Sequence, residues 1–205
     1  LTPQGALGNL IGSIVSEGSP GNWGHAMAFS PDGRAMVLVE CKAYYVAAVG
    51  WTFCRDTGAT VWDLAPLFEG DGEAVQKGHL DYAMEGVNAA FHPDGQQIAI
   101  VGCEVWGETD CAQGFTLLWD YLTAEVTRLA QDASTYTGMT KVTDVAFTPD
   151  GEYLATAGCG ARDVNSTCAQ SRADLWDLDT LQSVARLTDE SIGVSSLAVS
   201  PDGWT

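Results

Sequence analysis

Val87-Asn88-Ala89-Ala90-Phe91-His92-Pro93-Asp94-Gly95, then Gln97-Ile98-Ala99-Ile100-Val101, then Leu117-Leu118-Trp119-Asp120, set out one complete structural unit. Apolar residues run up to Phe91, break at His92-Pro93-Asp94-Gly95 and resume at Ile98. Proline presets φ at about −65° at the second position of a tight turn, and glycine accepts the left-handed conformation at its end. The break therefore reads as a hairpin turn between a strand over 87–91 and a strand over 97–103. A third strand over 115–119 and a fourth over 124–129, joined by the short link 120–123, complete the unit. Four short strands with turn residues between them, and almost no helical periodicity, form an all-β pattern.

The unit recurs in both directions along the chain. Ala28-Phe29-Ser30-Pro31-Asp32-Gly33, Ala146-Phe147-Thr148-Pro149-Asp150-Gly151 and Ala198-Val199-Ser200-Pro201-Asp202-Gly203 repeat the turn, and Trp62-Asp63 and Trp176-Asp177 repeat the end of the third strand. Trp62, Trp119 and Trp176 are evenly spaced, and the turn prolines Pro31, Pro93, Pro149 and Pro201 nearly so. Periodicity of this length marks a repeat architecture.

A unit that ends its third strand in Trp-Asp after a Pro-Asp-Gly turn resembles the WD repeat of β-propellers. The resemblance runs from about His25 to Gly203. It implies an all-β propeller of four-stranded antiparallel blades, about three and a half of them in this chain. The expected division is an N-terminal segment over 1–24, blades over 25–80, 81–138 and 139–190, and the first strand and turn of a further blade over 191–205. Rings of this kind close with about 4–8 blades. The chain is therefore expected to belong to a longer polypeptide, or to be completed by other segments, with residues 5–15 a candidate outer strand. The family's Gly-His pair before the first strand is met by Gly78-His79, loosely by Gly24-His25, and not in the later units. The usual acid between strands two and three is also missing, so the family's buried His–Asp network is expected to be absent or partial. Trp62, Trp119, Trp176 and the Phe of each Ala-Phe pair are expected in the core between blades.

The six cysteines fall two per unit: Cys41/Cys54, Cys103/Cys111 and Cys159/Cys168. The step from turn proline to first cysteine is the same in every unit (31→41, 93→103, 149→159), and so is the step from second cysteine to tryptophan (54→62, 111→119, 168→176). The first cysteine thus closes the second strand and the second opens the third, facing each other across a hairpin at a separation that suits a disulfide. Of the 15 possible pairings this register selects the three local ones. Zinc is the competing reading, but the spacings are not the short Cys-x₂₋₄-Cys type and no histidine lies nearby, so no metal site is expected. Disulfides persist in oxidising compartments, which predicts an extracellular, periplasmic or cell-surface protein whose export signal was removed or lies upstream of Leu1.

Composition narrows the partners. Of 205 residues 46% are hydrophobic and 18% charged, as in a packed globular protein. With 27 acidic against 9 basic side chains the net charge is −18, which is repelled by phosphate backbones and anionic lipid. Nucleic acid is therefore not an expected partner. The longest mostly apolar stretch, 43–53, falls far short of the roughly 20 residues a spanning helix needs, so direct membrane insertion is not expected.

Function is sought where the frame varies, in the inserts between paired cysteines. The insert over 42–53 carries Tyr44, Tyr45, Trp51 and Phe53; that over 104–110 carries Trp106; that over 160–167 is polar. Aromatics on rigidly anchored loops suit protein recognition, so these five are the candidate partner-binding residues; the competing reading is a hairpin that merely extends and packs on a neighbour. Asn165-Ser166-Thr167 is a glycosylation sequon. Glu69-Gly70-Asp71-Gly72-Glu73 gathers three acids that could bind calcium, but it lacks the ligand spacing of an EF-hand and reads first as a solvated loop. No nucleophile motif or phosphate loop occurs, and His25, His79 and His92 have no evident nucleophile partner, so no catalytic residue and no cofactor are assigned. The expected function is a non-catalytic, exported scaffold for protein–protein interaction, a subunit of a larger extracytoplasmic assembly. The alternatives are a propeller enzyme, lactonase-like or hydrolase-associated, with its active site outside these residues, or a structural sheath or filament protein.

Overall fold

A computed structural model describes residues 24–46, 52–70, 72–82, 85–106, 111–130, 139–165, 167–190 and 194–203; the side chains of 24, 25, 42–46, 52, 53, 55, 56 and 106 lie outside that description. The described residues form three four-stranded antiparallel sheets, each a meander in chain order. The first holds β1 (Gly24–Phe29), β2 (Ala35–Val46), β3 (Thr52–Asp63) and β4 (Val75–Tyr82). The second holds β5 (Glu85–Phe91), β6 (Gln97–Trp106), β7 (Cys111–Asp120) and β8 (Glu125–Arg128). The third holds β9 (Lys141–Phe147), β10 (Tyr153–Arg162), β11 (Cys168–Asp177) and β12 (Gln182–Asp189).

The Pro-Asp-Gly turns form as their chemistry requires. Gly33, Gly95, Gly151 and Gly203 all take positive φ, and each donates its N–H to the carbonyl three residues back, as in Gly95 to His92 at 2.9 Å. The aspartates serve the local backbone: Asp32 accepts the N–H of Arg34, Asp94 that of Gln96, Asp150 that of Glu152. The turn at Ser200–Gly203 closes although residues 194–200 carry no strand.

Alternation then decides which side of each sheet is buried. On β6, Ile98 and Ile100 pack with Val37, Val39 and Val61 of the first sheet; Ala99 and Val101 pack with Val145, Phe147 and Leu154 of the third. The second sheet is thus apolar on both faces, and each large side chain buried there contributes about 1.5–3 kcal/mol.

Four features differ from the sequence reading. β2 does not end at Cys41 but runs on to Val46; β6 and β10 likewise pass Cys103 and Cys159 to reach Trp106 and Arg162. Gly78-His79 lies inside β4, the fourth strand of the first sheet, rather than ahead of a first strand, and Gly24-His25 opens β1 itself. The link after Trp62-Asp63 holds a short helix, α1 (Ala65–Glu69), with Pro66 in its first turn and Gly70 ending it at φ 81°. Proline tolerates a first turn and glycine accepts the left-handed C-terminus, so this helix had a local signal.

The fourth concerns the core. Trp119, Trp176 and Phe91 are buried between sheets, but Phe29 is 42% exposed and Trp62 only half-buried. Both lie on the side of the first sheet that no described sheet covers. Burial at these positions is made by the neighbouring sheet, not by the residue.

Candidate functional site

A meander of four strands puts its first and third turns at one end and its second at the other. All Pro-Asp-Gly turns and all links after Trp-Asp therefore share one end of the molecule. The cysteine cross-links and the C-terminal ends of β4 and β8 lie at the opposite end.

At the hairpin end the disulfides are Cys41–Cys54, Cys103–Cys111 and Cys159–Cys168, each with Cα atoms 5.7 Å apart. The cysteines are not directly opposed. Cys41 pairs with Thr57 and Cys54 with Tyr44; Cys103 with Gly114 and Cys111 with Trp106; Cys159 with Ser171 and Cys168 with Arg162. In every hairpin one residue on each strand is skipped between the cysteine and the next pairs (42 and 55, 104 and 112, 160 and 169). Each disulfide therefore spans a double bulge diagonally. A bulge breaks the ladder and increases local twist. The cross-link fastens the hairpin where its ladder is weakest.

Beyond the bulge the hairpins diverge. Tyr44 and Tyr45 lie on β2, paired to Cys54 and Phe53 of β3; Trp106 ends β6, paired to Cys111. Part of the expected loop over 42–53 is thus extended hairpin, the competing reading for that segment. The side chains of Tyr44, Tyr45, Phe53 and Trp106, and all of Trp51, lie outside the described residues. At the second hairpin, Glu104 in the bulge accepts from Gln113 at 3.1 Å and pairs with Arg128 of β8. At the third, Asn165 is exposed on the turn that joins β10 to β11.

The turn end carries a feature the sequence reading missed. Between the first and second sheets opens a cleft of about 430 Å³, lined by Pro31, Asp32, Asp63, Lys77, Asp94 and Tyr121 among others. Lys77 pairs with Asp63 at 3.1 Å. The Ala65 N–H holds the Asp63 carboxyl below its ordinary range; the Ser30 hydroxyl does the same for Asp32. Burial pushes Asp94 up, but the N–H of Gln96 and the His92 ring more than offset it, and its net shift is downward. Burial raises the Tyr121 phenol, helped by the carboxylates of Asp32 and Asp63. Carboxylates held anionic with a phenol held neutral suit polar recognition rather than proton transfer near neutrality.

Why the cleft opens here is visible in the repeat. At the corresponding place between the second and third sheets, His92 reaches across. Its Nδ1 lies 3.1 Å from the Asp94 N and 3.0 Å from the Asp94 carboxylate, and its Nε2–H donates to the Gly151 carbonyl at 3.0 Å. Its ring stands edge-on to Phe147, centroids 5.0 Å apart. The equivalent position in the first sheet is Ser30, whose hydroxyl stays within its own turn, near Asp32 and the Ala35 carbonyl, while the Gly95 carbonyl accepts from the Tyr121 hydroxyl at 3.2 Å. The signal was present: His92 stands where the other turns carry Ser30, Thr148 and Ser200.

Of the other histidines, His79 bonds Thr60 through Nδ1 at 2.9 Å and Asp81 through Nε2 at 3.2 Å. Trp176 donates to Thr156 at 2.9 Å, while the Trp62 indole N–H has no partner among the described residues. The polar bonds of the repeat are thus particular to each sheet. Among the described residues no group of three or more His, Cys, Asp or Glu could hold a metal ion. Glu69 ends α1 and Asp71 lies outside the described residues.

A family model described as WD domain, G-beta repeat, matches residues 131–163, which include β9, its Pro-Asp-Gly turn and β10. That match and the three four-stranded antiparallel sheets fit a WD-repeat propeller. WD repeats commonly mediate protein interactions and are typically non-catalytic. No curated protein is similar enough to the chain to count as a match. No helix among the described residues is long and apolar enough to cross a membrane.

Proposed function

We propose that the chain is an exported, non-catalytic scaffold that holds a protein partner at its hairpin end, as a subunit of a larger extracytoplasmic assembly. The observation that carries this is the disulfide set: three cross-links at one station of the repeat, each beneath a hairpin of different length and composition. A frame repeated this closely while its tips diverge is what a presentation surface requires. Fixing the tips also lowers the entropy lost on binding. By sequence, Tyr44, Tyr45, Trp51, Phe53 and Trp106 are the aromatics of the first two inserts between paired cysteines, and aromatic anchors dominate protein interfaces. The same cross-links support export, since an oxidising compartment maintains them.

Two measurements test the reading. Mass spectrometry of the native protein with and without reductant should show no free thiol before reduction and six after; six free thiols at the start reject export. Comparison of complexes isolated with the wild-type chain and with Tyr44→Ala/Tyr45→Ala/Trp106→Ala then tests the surface. The partner should be lost while the disulfides still form; unchanged capture rejects this face.

A further inference from the structure

We infer that Asn165 is an N-glycosylation acceptor, and that its glycan removes the third hairpin from the protein-binding face; the inference rests on the export proposed above. The turn joining β10 to β11 presents the two groups that the sequon requires. Asp163 organises the turn by itself: its carboxylate accepts the N–H groups of Asn165 and Thr167, both at 2.9 Å, and its own N–H donates to the Thr167 carbonyl at 2.9 Å. The backbone is thus satisfied without using either sequon side chain. The Asn165 amide and the Thr167 hydroxyl are exposed and make no hydrogen bond among the described residues. Val164 beside them is 100% exposed, so nothing in the described fold leans over the tip. The turn sits just beyond the Cys159–Cys168 cross-link, which holds it out from the sheet.

The chemistry is a transfer from a lipid-diphosphate-linked oligosaccharide. The Asn165 Nδ2 forms a bond to the anomeric carbon, the bond from that carbon to the diphosphate oxygen breaks, the diphosphate leaves with the electron pair, and the amide gives up one proton. The product covers Val164 with a solvated sugar. It also explains why the third insert lacks the aromatics of the first two: Tyr44, Tyr45, Trp51 and Phe53 stand in one, Trp106 in the next, none over 160–167.

Peptide mapping of the protein isolated from its natural source reads the site directly. A glycan mass is expected on the peptide holding Asn165. In the same cells Asn165→Gln and Thr167→Ala should each abolish it, while Ser166→Ala, at the unread middle position, should leave it in place. A bare Asn165 in the wild-type protein overturns the inference, as does a glycan that survives Thr167→Ala. Thiol counting on the same sample separates the two readings. A bare Asn165 with three disulfides rejects the glycan alone; a bare Asn165 with free thiols rejects export as well.

Discussion

The two interfaces between sheets use the same repeat positions and fill them with different chemistry. Where the second sheet packs on the first, β7 contributes Phe115, Leu117 and Trp119. Where the third packs on the second, the same positions of β11, one repeat further along, are Arg172, Asp174 and Trp176. Arg172 bonds Asp174 at 2.6 Å, with side chains 7% and 0% exposed, and Arg186 of β12 reaches the other carboxylate oxygen at 3.0 Å. A second polar link crosses the same interface: Asn88 donates to Asp144 at 2.6 Å, and the other oxygen of Asp144 accepts the Leu197 N–H at 2.6 Å. The repeat thus fixes where side chains meet. It does not fix whether they meet by apolar contact or by buried charge.

The largest expected effect breaks the charged interface. Removing one partner of a buried ion pair strands the other, at a cost of about 3–5 kcal/mol, whereas replacing both by apolar residues is often neutral or stabilising. Asp174→Ala should therefore lower the denaturation midpoint severely. Arg172→Phe with Asp174→Leu, which copies β7, should restore or exceed wild-type stability. If the double variant is as weak as the single one, the ion pair does more than fill the position.

The cross-links come next. Cys103 and Cys111 are 8 residues apart, Cys159 and Cys168 9, and Cys41 and Cys54 13. In the chain-entropy view, loops of this size are worth about 2.5–3 kcal/mol, with the longest slightly ahead. Replacing each pair in turn by alanine should cost nearly the same in all three hairpins, as measured by urea unfolding. A much larger loss in one hairpin would show that its bulge depends on the cross-link for more than loop entropy.

Much of this frame was legible because its causes are local. Pro-Asp-Gly dictates a turn wherever it stands, and fixed spacings from turn to cysteine to tryptophan fixed which sulfurs could meet. An extended hairpin was one of two readings of 42–53, but that all three hairpins continue past Cys41, Cys103 and Cys159 through a double bulge was not legible, since such a bulge leaves no compositional mark. The short helix was readable in hindsight from Pro66 and Gly70. Contacts between sheets were out of reach. His92 with Gly151, Asn88 with Asp144 and the half-buried state of Trp62 each depend on a neighbour a whole repeat away or on a face nothing described covers. The candidate site divided likewise. The cysteines announced themselves by spacing, while the cleft depended on which turn residue is long enough to bridge.

That bridging difference can be inverted. His92→Ser removes one hydrogen bond, worth about 1 kcal/mol, and an edge-on ring contact worth about 0.5–1.5 kcal/mol. The combined cost should be about 1.5–2.5 kcal/mol, and a second cleft like the one beside Ser30 should open. Ser30→His should narrow the first cleft, since a methyl at Gly95 would meet nothing nearer than Pro31 at 3.9 Å. A crystal structure or the protection of Tyr121 from a water-soluble probe reads both. If Ser30→His leaves Tyr121 equally accessible, side-chain length is not what separates the two clefts.

The smallest effect lies in the turns, and its sign can be worked out. The Thr148 hydroxyl, then the Glu152 N–H, hold the Asp150 carboxyl below its ordinary value. A carboxyl lowered by folding contributes stability above its unfolded pKa of about 3.9, and loses it as pH falls through the folded value. Protonation elsewhere works the other way, since a chain of net charge −18 is relieved of repulsion in the same range. The difference between wild type and Asp150→Asn cancels that background. Asparagine keeps an acceptor oxygen for Glu152 but not the charge, so the variant should be the weaker protein near pH 7, and the gap should be smaller near pH 3. A gap of equal size at both pH values would mean that the turn is held by hydrogen-bond geometry alone. Asp32, held in the same way by Ser30 and Arg34, should then behave identically.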